Sequence, residues 1–114
     1  MRAAVVAIAV TVVLAAGSVA SGCEVRADVR SFHKDEFDVL HVVFAVDARC
    51  DGGRGCSGEL EYEVFRRVDG RESKSTGAAA WSTGQSGSAS ARAEVPMLPG
   101  EEVVGVYVAS VTCR

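Results

Sequence analysis

From residue 24 onward, apolar and polar positions alternate along most of the chain. Val25, Ala27 and Val29 are interleaved with Glu24, Arg26, Asp28 and Arg30. This period of two predicts a strand with one buried face. Ser31 to Glu36 is polar and predicts a turn. Phe37 to Cys50 follows, with Leu40, Val42, Phe44, Val46 and Ala48 on one face and Val39, Val43 and Ala45 on the other. Apolar residues on both faces predict a central strand. Asp51 to Gly55 is a glycine-rich turn. Leu60, Tyr62 and Val64 then alternate with Glu59, Glu61 and Glu63, a half-exposed strand that continues to about Val68.

Asp69-Gly70 is a strong hairpin signal. A strand from about Glu72 to Ser82 carries the lone tryptophan, Trp81. Thr83 to Gly87 turns the chain. Ala89, Ala91, Ala93 and Val95 alternate with Ser88, Ser90, Arg92 and Glu94. Pro96 to Gly100 makes a corner, and Val103 to Cys113 is the last strand. About six short strands separated by turns, with no helical period, predict an all-β antiparallel β-sandwich or small barrel.

The first twenty residues follow a different pattern. Met1-Arg2 is a short positive segment, Ala3 to Ala16 is apolar apart from Thr11, and Ser18-Val19-Ala20 places small residues before a cleavage point. This layout predicts a secretory signal peptide over residues 1–20 and one mature domain over 21–114. The apolar run is too short for a membrane span. Ala20-Ser21-Gly22-Cys23 also resembles the lipobox of bacterial lipoproteins, in which the cysteine is lipidated. The resemblance implies an envelope-anchored alternative to free secretion.

Charge narrows the partners. All 15 acidic residues, and every one of the 12 basic residues except Arg2, lie beyond residue 20. The mature domain therefore carries a net charge of −4. That balance argues against nucleic acid and against anionic membrane. Ten arginines against two lysines, with no asparagine, suggest a high-GC bacterial genome. A small exported domain with a Val- and Ala-rich core commonly adds disulfides.

The four cysteines supply them. Cys50 and Cys56 flank Asp51-Gly52-Gly53-Arg54-Gly55, and Cys23 and Cys113 stand at the two ends of the strand series. The loop is expected to join two neighbouring strands, which places its flanks opposite each other within disulfide reach. The expected pairing is nested: Cys50–Cys56 and Cys23–Cys113. Cys-x5-Cys with distant His33 and His41 lacks metal-site spacing, so neither metal nor cofactor is expected.

No catalytic constellation stands out. Gly84-Gln85-Ser86-Gly87-Ser88 fails the nucleophile-elbow pattern at its last position, where Ser88 replaces glycine. Ser86 reads as a turn residue. His33-Lys34-Asp35-Glu36 reads as a solvated turn, and His41 as a packed or edge histidine. Glu59, Glu61 and Glu63 on one exposed face suit solubility and edge protection better than paired-carboxylate catalysis.

The Leu98-Pro99-Gly100 corner before a Val/Tyr strand resembles the E–F corner of immunoglobulin-like and fibronectin-III modules. The resemblance implies an immunoglobulin-like sandwich presenting loops at its ends. The expected function is that of a secreted, non-catalytic binding module for an extracellular protein or envelope component. Its expected contact loop is Asp51, Gly52, Gly53, Arg54 and Gly55. The alternative is a secreted inhibitor of an extracellular protease or amylase.

Overall fold

A computed structural model describes residues 22–113. The proposed signal segment and its cleavage point lie outside the described residues. Six strands follow in order: β1 (Cys23–Lys34), β2 (Val39–Cys50), β3 (Ser57–Val68), β4 (Arg71–Ser82), β5 (Ser88–Pro96) and β6 (Glu102–Cys113). They form two three-stranded antiparallel sheets, β1-β2-β5 and β4-β3-β6. β1 lies beside β6 and β4 beside β5 where the sheets face each other.

The alternation in the sequence is the cause of this layering. Leu40, Val42, Phe44, Val46 and Ala48 of β2 are buried between the sheets, and Leu60, Tyr62 and Val64 of β3 meet them from the other side. The Phe44 and Tyr62 rings meet at a tilt of 37° with centroids 5.3 Å apart, joining the two central strands. Fully burying a side chain such as Phe44 contributes about 1.5–3 kcal/mol. Trp81 is also buried, and its indole Nε1 has no hydrogen-bond partner among the described residues.

The turns are set by local chemistry. Asp69 and Gly70 both adopt positive φ, at 52° and 77°, as a two-residue primed turn requires. Between β1 and β2 the chain turns at Asp35–Asp38, later than the polar run at Ser31 suggested. A bulge between Val29 and Ser31 resets the register, and Ser31 to Lys34 then continue β1 as an edge strand paired with β2. An edge strand tolerates such polar residues.

The cysteine pairing differs from the nested expectation. The bridges are Cys23–Cys50 and Cys56–Cys113. The Asp51–Gly55 segment does not join neighbouring strands; it carries the chain from one sheet to the other. Cys50 therefore pairs with its register partner Cys23 on β1. Cys56 precedes β3 and reaches Cys113 on β6, the register partner of Gly58. Two disulfides fit an oxidising compartment. No helix among the described residues is long and apolar enough to cross a membrane.

Candidate functional site

Long strands in a body of 51 × 25 × 17 Å separate two poles. Each pole gathers loops from both sheets.

The first pole holds the Asp51–Gly55 loop and the Thr83–Gly87 turn. Asp51–Gly53 forms a single 3-10 turn, with Gly52 at φ 80° and Gly53 at φ 72°. The Asp51 N–H donates to Gly22 O at 2.9 Å. Asp51 to Arg54 are exposed. Gly55 packs so close to the Gly84 backbone that a Cβ would collide with it. Arg54, Gly55, Ser82, Gly84 and Gln85 line an open cleft of 420 Å³. Thr83 ties the two turns together. Its Oγ1 accepts from the Cys56 N–H at 3.1 Å, and its own N–H donates to Cys56 O at 2.9 Å. Each flank of the loop is thus anchored by its own bridge rather than by one shared staple. Ser86 Oγ is occupied within its turn, its single O–H shared between Thr83 O and Ser88 O.

The second pole gathers the β1–β2 turn and the Leu98-Pro99-Gly100 corner. The Met97 N–H donates to Asp38 O at 2.8 Å, and Lys34 Nζ donates to Glu101 O at 2.7 Å. These bonds hold the two loops side by side. Phe37 stands on one of them, 76% exposed, and Leu98 on the other, 60% exposed. The third exposed large apolar residue, Phe32, is near the same end of β1. The turn under Phe37 is fixed by Asp35, whose Oδ1 accepts from the Phe37 and Val39 N–H groups at 2.8 and 3.1 Å.

His33, His41 and Glu94 form a cross-strand row on the outer face of β1-β2-β5. The two imidazoles stack with centroids 5.1 Å apart. His41 Nε2 lies 2.7 Å from Asp35 Oδ2. An ionised carboxylate can only accept, so Nε2–H is the donor. That bond, with the backbone donors of Val39 and Phe37, holds the Asp35 carboxyl below its usual range. Asp35 and His41, separate candidates in the sequence, are therefore partners that shape a turn.

Two features were not singled out from the sequence. Arg66 faces inward, donating to Ser75 Oγ, Pro96 O and Glu101 Oε1. Glu101 is 4% exposed and also accepts from the Leu98 N–H at 2.8 Å. Parity carried the signal, because Arg66 shares the face of Leu60, Tyr62 and Val64. Phe37 stands in the turn rather than at the start of β2, and its position between Glu36 and Asp38 is the sign of that.

Comparison with protein-family models, with curated proteins and with solved structures returned no match.

Proposed function

We propose that this chain is an exported, non-catalytic binding module that engages an extracellular or envelope protein through its loop poles. The observation that carries this reading is the second pole, where Phe37 and Leu98 stand exposed on two loops hydrogen-bonded to each other. Apolar anchors on a rigid frame bind without a large ordering cost. The strand order β1-β2-β5 and β4-β3-β6 supports an immunoglobulin-like reading, matching strands A-B-E and C′-C-F of that architecture. Free export is favoured over a lipid anchor, since lipidating Cys23 Sγ would cost the Cys23–Cys50 bridge.

The inhibitor reading draws on the first pole, whose Asp51–Gly55 loop is anchored at both flanks by separate disulfides. One capture experiment separates the two surfaces. Immobilised oxidised protein is exposed to secreted and envelope fractions, alongside Phe37→Ser/Leu98→Ser and Arg54→Ala variants. Loss of the captured partner with the double variant, and retention with Arg54→Ala, is expected. The opposite pattern moves the contact to the Asp51–Gly55 loop, and inhibition assays on secreted proteases and amylases then apply. No capture by any of the three proteins would defeat the binding-module reading.

A further inference from the structure

The two bridges are neighbours. The four Sγ atoms of Cys23, Cys50, Cys56 and Cys113 all lie within 4.8 Å of one another. Spacing along the chain gives no hint of this, because the quartet is assembled from β1, β2, the residue before β3, and β6. Three of its members are at most 9% exposed. We propose that, when both bridges are reduced, the quartet holds one Zn²⁺ as a tetrathiolate centre.

Two observations support this. First, zinc–thiolate bonds of about 2.3 Å in a tetrahedron require sulfurs about 3.8 Å apart. Shifts on the order of 1 Å per sulfur from the observed cluster meet that requirement. Second, the backbone at the cysteines is held by bonds that do not depend on the bridges. Cys23 and Cys50 are register partners, Asp51 N–H donates to Gly22 O, and Thr83 clasps Cys56.

The chemistry balances with a phosphine reductant and water. Each S–S bond takes two electrons and two protons to give two thiols, and each phosphine leaves as its oxide. Zn²⁺ then forms four Zn–S bonds, and the four thiol protons pass to solvent.

The test uses phosphine-reduced protein under argon, titrated with Co²⁺ as a spectroscopic substitute. Tetrathiolate visible and sulfur-to-metal charge-transfer bands should saturate at one equivalent and be abolished by one equivalent of Zn²⁺. Zn²⁺ should also restore the near-ultraviolet circular dichroism of the oxidised protein. The Cys23→Ser/Cys50→Ser variant should lose the tetrathiolate bands, and His33→Ala/His41→Ala should keep them. Absence of bands in the reduced wild-type protein overturns the proposal, whatever the variants do. So do bands that appear without native circular dichroism, since they would mark metal on an unfolded chain, and so does their loss in the histidine variant.

Discussion

At the scale of single residues, the most exacting demand is made by Glu101. Its carboxylate is buried beside the Arg66 guanidinium at 3.2 Å and also receives the Leu98 N–H. The pair fastens the β5–β6 corner to β3 and fixes the loop that displays Leu98. Removing one partner leaves a charge with little water and no counterion, which is costlier than losing the pair together. Glu101→Ala should therefore destabilise the domain by about 3 kcal/mol. Arg66→Met/Glu101→Leu should cost clearly less. Urea unfolding of the three proteins measures this, and equal losses would show that the charges contribute nothing beyond their volume. By contrast Arg67, whose partners Glu72 and Glu102 are largely solvated, should tolerate truncation within about 1 kcal/mol.

At the scale of elements, alternation made five of the six strands legible to within two residues at each end. β2 and β3 were recognisable for physical reasons: β2 is apolar on both faces, and β3 alternates glutamates with Leu60, Tyr62 and Val64. β1 was cut short because Ser31 to Lys34 follow a bulge, and a bulge breaks the parity on which the reading rests. The Asp51–Gly55 loop is exposed from Asp51 to Arg54, but its bridges differ from the nested pairing that its composition suggests. A glycine-rich turn has one composition whether it closes a hairpin or crosses between sheets. Periodicity reports which face of a strand is buried, not which sheet it joins. Pairing of Cys50 with Cys23 follows only once β1 and β2 are known to be neighbours.

Non-reducing peptide mapping should thus recover Cys23 linked to Cys50 and Cys56 linked to Cys113. Their sequence separations are 27 and 57 residues. The chain-entropy model assigns these bridges about 3.6 and about 4.2 kcal/mol respectively. Cys56→Ala/Cys113→Ala should then lower stability slightly more than Cys23→Ala/Cys50→Ala in chemical denaturation.

At the scale of the whole molecule, two three-stranded sheets present four edges, and three of them are guarded. β1 carries Glu24, Arg26, Asp28, Arg30 and Lys34; β4 carries Arg71, Glu72 and Lys74; β5 carries Arg92, Glu94 and Pro96. Charges and proline on an edge discourage pairing with another chain. β6 is different, with no charged residue from Val103 to Cys113 and, among the described residues, hydrogen-bonded pairing to β3 alone. On its outer face Val104 and Tyr107 join Phe65 in a depression rimmed by Glu63 and Glu72, with Phe65 and Tyr107 edge to face at 5.5 Å. β1 runs alongside this edge, Cys23 near Cys113 and Lys34 near Glu101, and provides its cover. Heating that loosens β1 before the core opens would expose a long uncharged strand, the usual starting point for edge-to-edge association. Val104→Lys places a charge on the outer face without entering the core, so its effect on stability should stay within about 0.5 kcal/mol. It should nevertheless raise the temperature at which light scattering sets in and slow association below the midpoint. If scattering is unchanged while Arg92→Leu on β5 accelerates it, β5 rather than β6 is the edge through which chains associate.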